Sequence, residues 1–187
     1  MRANTSREDI LEAAIAVAAR DGSGRLTIEA VAREVGMSKA GVLYNFPSKE
    51  VLLAELLAHM MQCFEGCADD QRAKAPDIPN AHLTSTLSAF HDFLQSDPHL
   101  PQAILTAGVQ NPELLEPLRK TMAKTIALAC DETRDPVGAL IVMAAMDGML
   151  FQHMLGLPPR DPKTRDAMFA RLHQMTATLE PRTCACD

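Results

Sequence analysis

Residues 27–49, TIEAVAREVGMSKAGVLYNFPSK, constrain this chain more than any other stretch. Ile28, Val31, Ala32 and Val35 recur at i, i+3, i+4, i+7, which puts them on one face of a helix that Thr27 can cap. Gly36 then breaks the pattern, because glycine adopts positive φ without a Cβ penalty and so ends helices. Ser38 can cap a second, short helix whose inward face is Val42, Leu43 and Phe46; Pro47 closes it and Ser48 opens another. Two short helices around a glycine-marked turn form a helix-turn-helix, whose second helix has an N-terminal part free to enter a major groove.

The rest of the chain also reads as helical. Ser6-Arg7-Glu8-Asp9 predicts a helix start, with Ser6 as N-cap and an acidic residue three positions on. Ile10, Ala14, Val17 and Ala18 continue it until the breaker Asp21-Gly22-Ser23-Gly24. A long helix is expected from Ser48 to about Arg72, ended by Pro76 and Pro79. Further helices are expected over about 80–95, 99–108, 112–131, 136–155 and 162–179, separated by Asp97-Pro98, Asn111-Pro112, Asp135-Pro136 and Pro158-Pro159. No segment alternates with period two, so the fold class is all-α, with a frayed tail after residue 180.

Charge restricts how such a chain can meet DNA. Its net charge is -6, and a basic balance is the usual footprint of a nucleic-acid binder. The acidity is localised: residues 1–50 hold 7 Lys+Arg and 7 Asp+Glu, whereas residues 51–187 hold 11 and 17. Contact with DNA must therefore be local and geometric, since the overall field repels phosphates. Lys39 and Lys49 each follow a capping serine, in the first helical turn where the macrodipole is already positive. That placement is unfavourable within the helix and becomes favourable if a phosphate sits at each helix end. Either lysine alone is better read as solvated; the pair, beside a helix-turn-helix, favours phosphate. Thr27 offers a third helix start, Tyr44 a phenol in the same unit, and Phe46 a core residue.

The same stretch carries a family resemblance. Thr27-Ile28-Glu29-Ala30-Val31-Ala32, then Gly36-Met37-Ser38-Lys39-Ala40-Gly41, then Leu43-Tyr44-Asn45-Phe46-Pro47-Ser48-Lys49-Glu50 make residues 6–57 similar to the N-terminal DNA-binding domain of the TetR family of transcriptional regulators. The resemblance implies a three-helix DNA-binding domain over residues 1–50 and a helical ligand-binding and dimerisation domain over 51–187. It implies a dimer. The leading reading built on it is a homodimeric repressor on double-stranded DNA with a near-palindromic operator, released by an apolar small-molecule effector, with no cofactor and no enzymatic activity; activation in place of repression stays open. By the same resemblance Thr27, Tyr44 and Lys49 touch backbone phosphates, while Ser38, Lys39, Ala40, Gly41 and Asn45 lie along the groove-facing surface. The family often has His or Tyr where this chain has Asn45; asparagine can read adenine through two hydrogen bonds or act as a spacer.

The distal part is less specific. Its 136–155 helix is apolar almost all round, with Gly138, Ala139, Ala144, Ala145 and Gly148 permitting close approach, and 162–179 carries a stripe of Ala167, Met168, Leu172 and Met175. Such a pair can form half of a four-helix bundle with a symmetry mate, which nominates Val142, Phe151, Met168, Leu172 and Met175 for pairing; an intramolecular core is the alternative. Eleven methionines suggest an adaptable apolar cavity, with Met60, Phe64, Phe90, Met122, Met146, Asp147 and Met149 as lining, although a methionine stripe fits ordinary core as well. Asp147, Gln152 and His153 are the polar groups placed to orient a ligand or bridge subunits.

His59, Cys63 and Cys67 fall at i, i+4, i+8, so a metal- or thiol-redox-responsive regulator is an alternative, against simple packing of small cysteines. Five unevenly spaced cysteines and an N-terminus without an apolar signal core point to the cytoplasm. Residues 137–157 approach membrane-span length, but Asp147, Gly148, Gln152 and His153 favour a buried helix and no membrane partner. A helical-bundle enzyme or structural protein is the rival class, and no nucleophile triad, HExxH, phosphate loop or dinucleotide fingerprint supports it.

Overall fold

The structure, a computed structural model, describes residues 6–75, 77–159 and 161–182. Cys184, Cys186 and Pro76 lie outside them. The described residues form α1 (Arg7–Asp21), α2 (Ile28–Val35), α3 (Lys39–Asn45), α4 (Lys49–Lys74), α5 (Ala81–Phe93), α6 (His99–Gln110), α7 (Glu116–Asp131), α8 (Pro136–Leu155) and α9 (Pro162–Thr178). Short 3-10 turns occupy Ser23–Arg25 and Pro112–Leu115. No strand occurs among the described residues; the only β-type pairing there is one antiparallel bridge between Thr133 and Pro181. One element differs from expectation: the helix anticipated over 112–131 is a 3-10 turn followed by α7. Pro117 has no N–H to return to Glu113, so a continuous i→i−4 ladder cannot run through it.

Two compact units emerge, and neither is a contiguous stretch: one comprises residues 1–61 with 97–119, the other 62–96 with 120–187. The expected cut at residue 50 therefore differs from the units in two ways, since half of α4 and all of α6 join the first. Sequence order cannot show this, because α6, though it follows α5 in the chain, packs on α1. In the first unit Ile10, Ala14, Val17, Leu26, Val31, Val42, Phe46, Leu52 and Leu56 are fully or almost fully buried, and Leu100, Ala103 and Ile104 of α6 complete the cluster. Gly108 lets the chain after α6 fold back: a Cβ there would stand 2.5 Å from Leu115 Cγ.

The second unit packs α5, α7, α8 and α9 around Leu83, Leu87, Phe90, Ala129, Ala139, Val142, Met146 and Phe169. Polar groups tie its ends together. The Asn80 side-chain amide donates to the carbonyls of Thr176 (3.1 Å) and Leu179 (3.0 Å), joining the start of α5 to the end of α9. The Glu132 carboxylate accepts the N–H of His82 at 2.8 Å, in the first turn of α5, where an anion meets both the unsatisfied donors and the positive helix end. Both α4 and α8 are long and apolar enough by composition to span a membrane, yet one face of α8 packs within this core.

Candidate nucleic-acid interface

Three side-chain caps build the reading head. Thr27 Oγ1 accepts the N–H of Ala30 at 3.1 Å, Ser38 Oγ that of Gly41 at 3.1 Å, and Ser48 Oγ that of Val51 at 3.2 Å. A capping hydroxyl spends an acceptor lone pair on its helix and keeps its O–H hydrogen, so Thr27 and Ser38 retain a donor for an external oxygen. Between α2 and α3, Gly36 sits in the left-handed region at φ 71°, and the Met37 N–H reaches back to the Ala32 carbonyl at 2.9 Å. This six-to-one closure ends α2 abruptly and sets the start of α3.

The outward face of α3 is polar and bare. Ser38, Lys39, Ala40 and Tyr44 are exposed, Gly41 and Asn45 half-buried, and Val42 and Phe46 fully buried behind them. Tyr44 is 89% exposed, so its ring packs against almost nothing. Lys49, half-buried, stands in the first turn of α4. Two of the nominated side chains are engaged internally. Lys39 pairs with Glu29 of α2, and this partner holds the Glu29 carboxyl below its ordinary range. Asn45 donates from Nδ2 to the Gly41 carbonyl of its own helix at 3.1 Å, so its amide is back-bonded in the free chain.

Arg7 is a positioning residue that sequence reasoning missed. Its guanidinium lies over the Phe46 ring, 4.5 Å from the centroid. It donates to the Asn45 carbonyl at 2.9 Å and to Glu55 Oε1 at 2.7 Å. One side chain thus joins α1, the negative C-terminal end of α3 and α4, fixing the reading helix on its support. Only its place beside the Ser6 cap was visible in sequence, and that gives no hint of a partner 38 positions away.

Family models match both parts of the chain: "Bacterial regulatory proteins, tetR family" over residues 10–56, and "Tetracyclin repressor-like, C-terminal domain" over residues 77–177, more than half of its length. The chain belongs to the TetR family. It is thus a DNA-binding transcriptional regulator and not an enzyme. Solved structures with the same fold include a candidate TetR-family regulator from Rhodococcus sp. (16% identity, TM-score 0.72, covering 92% of this chain and 98% of that one). The fatty acid degradation regulator FadR from Bacillus halodurans has 16% identity and TM-score 0.67, with 95% and 96% coverage. The multidrug binding protein EbrR, complexed with imidazole, has 22% identity and TM-score 0.64, with 97% and 98% coverage. No curated protein matches the chain in sequence.

In this TetR-family chain the nominated sensor residues are shared between the two units. Met60 packs against the core of the first unit, while Phe64, Phe90, Met146 and Met149 belong to the second. Met122 is half-buried and Asp147 exposed. Phe64, Phe90, Phe93 and Phe169 fill the middle of the second unit through ring contacts at 6.3–6.4 Å. Partial desolvation by the apolar face around it raises the Asp147 carboxyl above its ordinary range. A cavity of about 370 Å³ in this unit is lined by Met149, Gln152, His153, Leu157, Arg165 and Met168, so of the nominated lining it holds Met149 alone.

The nominated pairing residues also divide. Val142 and Leu172 are buried within the chain's own core and offer no surface; Met168 and Met175 are half-buried against it; Phe151 is 56% exposed. Sequence periodicity could not separate the two faces of α8, because both are apolar. Among the described residues no three His, Cys, Asp or Glu side chains converge as metal ligands, so the metal-site alternative at His59, Cys63 and Cys67 is not supported. Cys67 Sγ instead lies 4.0 Å from Asp92 Oδ2.

Proposed function

We propose that the chain is a homodimeric repressor in the cytoplasm, released from a near-palindromic operator by a small molecule. The observation that carries the DNA part is the exposed face of α3, where Tyr44 stands almost wholly in solvent beside two capped helix starts. Thr27, Tyr44 and Lys49 contact phosphates; Ser38, Lys39, Ala40 and Gly41 face the groove; Asn45 spaces the helix from it. Lys39 exchanges Glu29 for a phosphate on binding.

Pairing uses α8 and α9. Val137, Ile141, Ala144, Gly148, Phe151 and Leu155 are exposed on α8 at alternating four- and three-residue spacing, with Leu140 beside them, and Ala167, Ala170 and Ala177 leave room on α9. A second copy covers this stripe, in preference to lipid, since Asp147 stands in its middle. Two copies then set their α3 helices about 34 Å apart in successive major grooves. Small-molecule response is supported by EbrR, solved with imidazole, proflavin and malachite green. A coupling of about 1–3 kcal/mol between ligand and reader spacing suffices for release.

Selection from a random duplex pool, followed by mobility-shift titration, tests the proposal. A two-fold-related consensus with half-sites about one helical turn apart is expected. Recovery of no preferred sequence, or of an unrepeated half-site bound by a monomer, overturns it.

A further inference from the structure

The cavity between the end of α8 and the start of α9 has the makings of a ligand site distinct from the aromatic core. At about 370 Å³ it falls within the usual range of small-molecule pockets, roughly 300–1,000 Å³. Met149, Leu157, Pro159 and Met168 give it an apolar wall; among the described residues Gln152, His153 and Arg165 are its polar side chains and no carboxylate lines it. Arg165 carries the charge. Its Nη1 donates to the Leu94 carbonyl at 3.3 Å and its Nη2 to Gln95 Oε1 at 2.8 Å, both neutral acceptors. Its Nε is buried and has no hydrogen-bond partner among the described residues.

The neighbouring acids are occupied elsewhere: Asp161 caps α9 through the Thr164 N–H at 2.8 Å, and Asp166 Oδ1 meets His91 Nε2 at 2.9 Å. A guanidinium held partly out of water with only neutral partners is under-compensated, and an ionised oxygen is the group that best completes it. Nη1 and Nη2 each keep a second N–H beyond the bonds to Leu94 and Gln95, a pair that matches the two oxygens of a carboxylate, and a single positive charge balances a monoanion rather than a phosphate dianion.

We propose that this cavity binds a small monocarboxylate with an apolar body, its carboxylate on Arg165 and its hydrocarbon against Met149, Leu157 and Met168. This rests on the small-molecule response proposed above and names the site and ligand class. The polar end is fixed by charge and the apolar wall, made of flexible methionines, adapts to the body.

The test titrates the full chain, labelled at its methionine methyls, with 4-phenylbutyrate and with the neutral 4-phenylbutanol, and reads binding by NMR and calorimetry. The carboxylate should bind about tenfold or more tighter than the alcohol, shifting the Met149 and Met168 methyls first. Arg165→Gln should abolish the acid's advantage, and Leu157→Trp, at an exposed turn, should weaken both probes by filling the cavity. Equal affinity for acid and alcohol, shifts centred on Met60 or Met122, or no saturable binding of the acid overturns the proposal. Because Arg165 also caps α5, the methyl shifts decide the matter if Arg165→Gln fails to fold. Binding of the selected duplex is measured in parallel without probe: DNA binding with no carboxylate binding sinks this inference alone, whereas absent DNA binding sinks the regulator reading.

Discussion

With Lys39 at the DNA as proposed, its pair with Glu29 makes a near-neutral reading head limit its own affinity. The pair is exposed, so it adds little to stability, but Glu29 competes with any phosphate for the same ammonium. Glu29→Gln should therefore tighten binding to unrelated duplexes by about two- to fivefold at low salt, with a smaller gain on the operator, as read by fluorescence anisotropy. Lys49→Ala should weaken binding on every sequence and reduce the slope of log K against log salt by about one unit. An unchanged slope would remove Lys49 from the phosphate contacts. At the same scale, burial, with help from nearby Arg72 and His91 respectively, holds His82 and His173 below the ordinary imidazole value of 6.5. A depressed folded value means that the unfolded chain takes up the proton more readily. Their contribution is complete above pH 6.5 and shrinks as the pH falls below it. The thermal midpoint should thus drop by a few degrees from about pH 7.5 to about pH 5.5, and His173→Gln should flatten part of that slope.

Among the elements, the α2–α3 turn has the least tolerance. A Cβ at Gly36 would meet nothing within 4 Å, so its cost is backbone alone: φ is 71°, in the left-handed region. Gly36→Ala should destabilise the first unit by about 1–2 kcal/mol in denaturant melts, with Gly36→Asn milder because asparagine tolerates that region. A loss well below this would mean that the turn adjusts without strain. The helix α8 illustrates the opposite property. Ala139, Val142, Met143, Met146 and Met149 face inward while Val137, Ile141 and Phe151 face out, so a helix apolar all round still has an assigned inner side.

At the scale of the whole molecule, the proposed dimer makes affinity rest on pairing, because each neutral reading head supplies few phosphate contacts. Phe151→Glu places a charge on the exposed stripe without entering the core. It should shift the chain to monomer in analytical ultracentrifugation and weaken operator binding by about tenfold or more, while the helical signal and melting cooperativity of the monomer persist. A dimer that survives the substitution would move the interface elsewhere.

The sequence by itself determined the caps, the glycine turn and the helix count of the reading head, because these depend on residues within four positions of one another. Ser6, Thr27, Ser38 and Ser48 all cap the helices expected of them. Tertiary structure alone decided what depends on distant partners. It put α6 with the first unit, turned Val142 and Leu172 inward, sent Met60 to a different core from Met146, and set Arg7 over Phe46. It also brought Arg165 beside Met149 in one cavity. Local hydrogen bonding and backbone sterics are written in short motifs, whereas the choice between two equally apolar faces is made only when other helices arrive to cover one of them.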